Sequence, residues 1–279
     1  WISQGFPHPA WGHRGLACGV VPSAAVRQLL PASGPAAVPE VDPVATYAGD
    51  DRTAPDDRPW VLVNMVASAD GATAVEGRSG ALGGPADRAA FTAIRAVADI
   101  ILVAAGTARV EGYGPPKTPP ALQAAREARG QAPKPRIALV TRSVELDFES
   151  DLFADPASRC LVIAPEDADA DRLAVAAAVA DVITSGRGSV DLAPAVAHLG
   201  ALGAAVVLAE GGPSLLGQLA EADLVDELCL TLSPTLVAGA SARIVHGPDL
   251  PGGLAPLHLD RVLEQDGVLL LRYLVARSR

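Results

Sequence analysis

Apolar positions in this chain fall into short unbroken blocks, separated by stretches whose apolar residues recur at helical spacing. Trp60 to Ala67, carrying Val61, Leu62, Val63, Met65 and Val66, is a predicted strand, and Asp70-Gly71 beyond it is a turn signal. Gly83-Gly84-Pro85 then opens a predicted helix with proline at its first position and Asp87 in its first turn, followed by Phe91, Ile94, Arg95 and Val97. Ile100 to Ala105 is a second strand. It ends in Gly106-Thr107, where a glycine turn and a loop through Arg109, Glu111, Gly112, Tyr113 and Gly114 are expected. A short charged helix (Pro120 to Arg129) precedes strands at Arg136 to Thr141 and Cys160 to Ala164. A helix at Asp171 to Ala180, a short strand at Asp181 to Thr184 and a helix at Asp191 to Leu202 follow. Ala204 to Ala209 is a continuous apolar run of the kind buried on both faces of a parallel sheet, and it stops at Glu210-Gly211-Gly212. Beyond lie a helix from Pro213 to Glu221, a strand from Glu227 to Leu232, a turn region from Pro234 to Ala240 and a last strand from Val268 to Val275, giving a hairpin-like tail. This alternation predicts a three-layer α/β/α fold whose central sheet is mostly parallel, with an antiparallel C-terminal edge.

Composition adds a boundary. Residues between Pro31 and Pro59 are rich in Pro, Ala and Asp and show no stable period, so residues 1–57 read as an extended or partly disordered arm before a body spanning residues 58–279. A net charge of -10 argues against a nucleic-acid partner, because binding to a phosphate backbone needs clustered Lys and Arg. Cys18, Cys160 and Cys229 are few and far apart, which fits a reduced compartment better than a disulfide framework. The first residues lack the basic-then-apolar order of a signal peptide, and the charge-free runs of the second half are too short to span a bilayer. A cytoplasmic protein with no membrane partner is expected. His8, His13 and Cys18 have no further Cys or Glu at zinc-ligand spacing, so no metal is expected.

In open parallel sheets, ligands bind beyond the carboxyl ends of the strands, where helix-start N–H groups can face an anion. Gly106-Thr107 and Gly211-Gly212-Pro213-Ser214 both follow strands, and the second opens a helix. A single glycine pair is most often only a tight turn; the two together, in this element order, point to a cofactor diphosphate. Neither matches a GxGxxG or Walker pattern.

Four ordered segments, "RPWVLVNMVASADGATAVEGRSGALGGPADRAAFTAIRAVADIILVAAGTARVEGY", "ALVTRS", "LAEGGPSLLGQL" and "LVDELCLTLSPTLVAGASARIVHG", resemble the reductase domain of riboflavin biosynthesis, of the dihydrofolate-reductase-like fold, and especially its actinobacterial stand-alone branch. The resemblance implies NADPH as cofactor. Carried over by position, it implies cofactor contacts at Gly106, Thr107, Glu210, Gly211, Gly212, Pro213, Ser214 and Leu215, with Thr141, Arg142 and Ser143 on the adenosine side. Arg142 is the candidate for the 2′-phosphate, since a guanidinium offers phosphate a bidentate fork. On the substrate side it implies Asn64, Ser68, Glu111 and Tyr113, with Asp70 as the acid; Asp70-Gly71 also reads simply as a turn. Two contacts usual in the resembled family are missing. Ala72 stands where a Lys follows the Asp-Gly turn, and Glu111 and Tyr113 replace an Asp-Asp-Pro run. Arg78, Arg88, Arg95 and Lys117 are the possible substitutes for the substrate phosphate. The deaminase signature that often precedes such domains is absent from residues 1–57.

The expected activity is therefore reduction of 5-amino-6-(5-phosphoribosylamino)uracil to its ribitylamino product by a homodimer. Two alternatives stand beside it: a reductase of dihydrofolate or another pterin using the same cofactor site, and a non-catalytic NADPH-binding protein.

Overall fold

The structure is a computed structural model that describes residues 26–31, 39–155 and 158–276. In chain order the strands are β1 (Arg27–Leu30), β2 (Trp60–Ser68), β3 (Ile100–Ala104), β4 (Arg136–Val140), β5 (Leu161–Ala164), β6 (Asp181–Thr184), β7 (Val206–Ala209), β8 (Glu227–Ser233), β9 (Leu257–Gln265) and β10 (Val268–Val275). The helices are α1 (Pro43–Ala48), α2 (Pro85–Val97), α3 (Ala105–Glu111), α4 (Pro120–Ala128), α5 (Asp151–Ala154), α6 (Ala170–Val179), α7 (Leu192–Ala201) and α8 (Pro213–Glu221). All ten strands form one sheet in the order β1-β9-β10-β8-β2-β7-β3-β4-β5-β6. From β8 to β6 neighbouring strands run parallel, whereas β10, β9 and β1 add antiparallel neighbours at the other edge. The expected fold class is the one adopted.

Alternate side chains of each central strand face opposite layers. Leu62, Ile101, Val103 and Leu139 pack beneath Ala90, Ala93 and Ile94 of α2. Val61, Val63, Leu102 and Val207 pack beneath Leu199 of α7 and Leu215, Leu216 and Leu219 of α8. Burial on both faces explains why β5 and β7 read as unbroken apolar runs: all four residues of each are buried.

Two elements lie in the stretch expected as a lead-in. β1 pairs with β9, and α1 begins at Asp42, whose side chain accepts from the N–H groups of Val44 and Ala45. Behind α1, Arg52 Nε reaches Glu227 Oε2 at 2.9 Å, and Glu227 is also held by Arg272 at 2.8 Å. The stretch from Glu40 onward is thus tied into the sheet edge, a correction to a body starting near Arg58. A four-residue strand and a six-residue helix are too short to print a period. His8, His13 and Cys18 lie outside the described residues.

The expected glycine turn and loop after β3 is a second correction. The chain passes from Ala104 directly into α3, with Gly106 and Thr107 in its first turn, and it leaves the helix at Gly112, whose φ of 70° is the left-handed conformation glycine favours at a helix end. Among the described residues no helix is long and apolar enough to cross a membrane. No group of three or more His, Cys, Asp or Glu side chains among them is arranged to hold a metal ion.

Candidate active site

A cleft of about 480 Å³ opens at the carboxyl ends of β2, β7 and β3, between α2, α3 and the start of α8. One wall is backbone. Glu210 N–H donates to Leu102 C=O at 3.0 Å and Ala104 N–H donates to Gly211 C=O at 2.8 Å, so the chain leaving β7 stays zipped to β3. This zipper brings the two glycine sites together. Gly211 has φ of 91°, and a side chain there would meet Met65. At Gly212 a Cβ would lie 2.6 Å from Thr107 Oγ1, so the close approach of α3 and α8 requires glycine. Gly106 is different: its φ is not positive, and a Cβ there would meet nothing within 4 Å.

The other wall is made of side chains. Glu210 accepts from Arg95 Nε at 2.7 Å and Nη2 at 2.6 Å, and from the Tyr113 hydroxyl at 2.6 Å. Arg95 also stacks over Phe91, its guanidinium carbon 4.1 Å from the ring centre. Burial and then the charge of Glu210 push the Tyr113 hydroxyl well above its ordinary range, so it stays protonated. Burial opposes the charge on Arg95, but its hydrogen bond to Glu210 and that carboxylate's charge more than offset this and raise its pKa. Across the cleft, Asp87 at the third position of α2 accepts from Thr231 of β8 at 2.6 Å. Burial pushes the Asp87 carboxyl up, against the lowering effect of Thr231 and of the neighbouring Arg88. Asn64, Thr73 and Ser79 complete the lining, and Ser79 N–H donates to Glu111 at 2.8 Å.

Of the residues expected from the sequence, Asn64, Gly106, Thr107, Glu111, Tyr113, Glu210, Gly212 and Pro213 all line this cleft. Gly211 is buried just behind it, and Ser214 stands exposed in the first turn of α8.

Asp70 sits in the turn after β2. Its carboxylate is fully exposed, accepts from Ser68 Oγ and from the N–H groups of Val237 and Ala238, and is not among the lining residues. The Ser68 hydroxyl and then those two N–H groups pull its pKa from 3.8 to about 2, the opposite of a proton donor at neutral pH. Ser68 is buried inside the same turn, also accepting from Ala72 N–H at 2.9 Å, so it does not face the cleft as a substrate contact would. Leu215 likewise turns away: its side chain is in the core and its N–H donates to Gly212 C=O at 2.9 Å. Thr141, Arg142 and Ser143 lie at the carboxyl end of β4, outside the lining residues. Thr141 is buried and accepts from Val144 N–H, while Arg142 and Ser143 are exposed. Asp87, held by Thr231 behind it, is a cleft residue the sequence did not single out. Asp87 looked like an ordinary helix-start acid, and no linear signal ties it to Thr231, 144 residues away.

The cleft lies at the carboxyl ends of β2, β7 and β3 and is walled by two helix starts, the place where open α/β sheets bind their ligands. The chain belongs to the RibD C-terminal domain family, whose model matches residues 59–266. The riboflavin-type reductase family expected from the four segments is thereby borne out. A 2,5-diamino-6-ribosylamino-4(3H)-pyrimidinone 5′-phosphate reductase from Archaeoglobus fulgidus is 27% identical over 189 residues, covering 67% of this chain and 86% of the relative. The crystal structure of a pyrimidine reductase-like protein from Corynebacterium diphtheriae superposes with a TM-score of 0.77 at 27% identity, over 85% of this chain and all of the other. RibD of Acinetobacter baumannii, at 18% identity and a TM-score of 0.64, shares the fold over 79% of this chain and 59% of its own length.

Proposed function

We propose that this protein is an NADPH-dependent reductase of a 5-amino-6-(5-phosphoribosylamino)pyrimidine, converting the ribosylamino group to ribitylamino as in riboflavin biosynthesis. The observation that carries the cofactor half is Gly106. Nothing in the fold needs a glycine there, neither φ nor a neighbouring atom, yet it lines the cleft at a helix start beside Gly212. A bound group lying against that backbone explains it. Gly106, Thr107, Gly212, Pro213 and Ser214 would hold the cofactor's diphosphate. Arg142, at the end of the strand next to β3, makes no hydrogen bond or ion pair among the described residues and would take the 2′-phosphate.

When bound, NADPH supplies hydride for the carbon of the ring-opened imine. The chain's own residues bind, orient and exclude water. Both oxygens of Glu210 are occupied by Arg95 and Tyr113, so its task is to fix the Tyr113 ring as a wall. Met65, Val66, Phe91 and Val110 keep water from that side of the cleft. The Asn64 side-chain amide makes no hydrogen bond within the described protein, which leaves it for a ligand. Arg78 lies between the lining residues Gly77 and Ser79 and its side chain makes no hydrogen bond or ion pair among the described residues, so of the four basic candidates it would take the substrate phosphate; Arg95 is already paired with Glu210.

Purified protein incubated with NADPH and the phosphoribosylaminopyrimidine tests this reading. Loss of NADPH absorbance with formation of the ribitylamino product is the expected result. A protein that binds NADPH yet transfers no hydride to either the 2-amino or the 2-oxo form of the substrate overturns it.

A further inference from the structure

The stretch from Val41 to Arg52 precedes the residues matched by the family model, yet it packs against a helix that shapes the cleft. α1 lies along α2, and its Tyr47 is buried in one cluster with Ala86, Ala90 and Ala93 of that helix. These alanines, at i, i+4 and i+7, form one stripe of α2. The next stripe is Asp87, Phe91 and Arg95: the first two line the cleft, and the third holds Glu210. Arg52 joins α1 to β8. Its Nη1 donates to Tyr47 C=O in the last turn of α1 at 2.8 Å, while Nε and Nη2 reach the two oxygens of Glu227 at 2.9 and 3.0 Å. Glu227 is the first residue of β8, and Glu227, Cys229 and Thr231 share one buried face of that strand. At the far end of the same face the Thr231 hydroxyl donates to Asp87. The Arg52 segment thus grips both α2 and the strand that anchors it.

We propose that Arg52 is a positioning residue for the substrate: by locking α1 onto α2 and β8, it holds the cleft-facing stripe of α2 where the substrate meets it. This rests on the reductase reading of the cleft. Both carboxylates of the network keep a cation without Arg52, since Arg272 Nε donates to Glu227 Oε1 at 2.8 Å and Arg261 Nη2 to Asp50 Oδ2 at 2.8 Å. Desolvation offsets most of the attraction inside such a network, so a further arginine adds little net stability. What Arg52 adds is a fixed relation between α1 and β8. A helix free to shift must be ordered by the substrate, at the same cost in the ground state and the transition state, so its loosening raises KM and leaves kcat unchanged. A merely structural defect does the reverse, lowering the active fraction while KM holds. The wall at α3 and α8 is held by the zipper between β3 and the chain leaving β7, so cofactor binding is independent of Arg52.

The experiment compares wild type with Arg52→Met, which keeps the bulk of the stem and removes the guanidinium. KM for the phosphoribosylaminopyrimidine is expected to rise about 10-fold, while kcat and the Kd for NADPH move less than about 2-fold. Hydrogen exchange supplies a readout that needs no turnover. Amides from Ala90 to Val97 in α2 are expected to exchange about 10-fold faster in Arg52→Met, and those from Leu216 to Glu221 in α8 at the wild-type rate. An unchanged KM, a fall in kcat alone, or equal acceleration in both helices overturns the proposal and leaves the reductase reading intact. If Arg52→Met fails to fold, Tyr47→Leu, which trims α1 where it packs on α2 and leaves Arg52 on Glu227, carries the same expectation and the same refutation. If wild-type protein oxidises no NADPH with either form of the substrate, the reductase reading falls, and exchange alone decides whether Arg52 holds α2. Acceleration confined to α2 supports that hold; exchange unmoved by Arg52→Met overturns it.

Discussion

The two walls of the cleft are built in different ways. On the α3 and α8 side the wall is backbone: glycines at Gly106 and Gly212, helix starts, and a zipper between β3 and the chain leaving β7. The rest of the lining is a property of side chains that meet only after folding, with Arg95, Tyr113 and Glu210 in one cluster and Asp87 with Thr231 in another. A backbone wall tolerates changes in its side chains but not the addition of a Cβ. A side-chain wall depends on each partner, since removing one leaves the other buried and unmatched.

The largest expected effect belongs to the side-chain wall. Glu210→Ala leaves Arg95 largely buried without its carboxylate and the Tyr113 hydroxyl without its acceptor. Breaking a buried pair in this way costs about 3 to 5 kcal/mol, to be read as a fall in unfolding free energy by denaturant titration. A loss below about 1 kcal/mol would mean that the cluster is not the rigid wall described. On the backbone wall the next largest effect is one of binding. Gly106→Ala adds a Cβ that meets no atom of the protein within 4 Å, so the fold should persist while NADPH affinity drops about 100-fold, or about 2.8 kcal/mol, measured by fluorescence titration. Equal NADPH binding by variant and wild type would remove the explanation offered for that glycine.

The difference between the walls also decides what could be read from the sequence. The succession of strands along the chain and the mostly parallel core were legible because they rest on local signals, apolar runs of fixed length with glycines directly after them. Residues 40–57 were not, because a short proline-started helix in an Ala- and Pro-rich stretch carries no period, and its anchor, Arg52 with Glu227, joins positions 175 apart. The surroundings of Asp70 were hidden for the same reason. Its place after β2 suggested chemistry, but besides the neighbouring Ser68 hydroxyl its donors are the N–H groups of Val237 and Ala238, which no reading of the Asp-Gly turn could supply. Asp87 was read only as a helix-start acid because its partner Thr231 comes from another part of the chain.

Arg142→Ala sharpens the comparison further, since it removes a side chain from the cofactor side without touching the backbone. Charge-assisted contacts to phosphate contribute about 1.5 to 3 kcal/mol, so KM for NADPH should rise roughly 10- to 100-fold while KM for NADH stays unchanged. Steady-state kinetics with both nucleotides checks this. Parallel weakening of both would place the 2′-phosphate elsewhere.

The smallest effect is expected at Asp70, and its pH dependence has a defined sign. The folded-state pKa of about 2 lies below the ordinary 3.8, so the carboxylate favours the folded state above pH 3.8, and that contribution disappears as pH falls through about 2. Asp70→Asn should therefore lower Tm slightly at neutral pH, with the gap to wild type closing between pH 4 and pH 2. Because the side chain is fully exposed, salt should shrink the gap as well. Turnover at neutral pH should be nearly unchanged, because the carboxylate holds the Val237–Ala238 loop and does not line the cleft. A variant that folds, binds NADPH and has lost hydride transfer would make Asp70 the acid and overturn the reading that its carboxylate serves only the Val237–Ala238 loop.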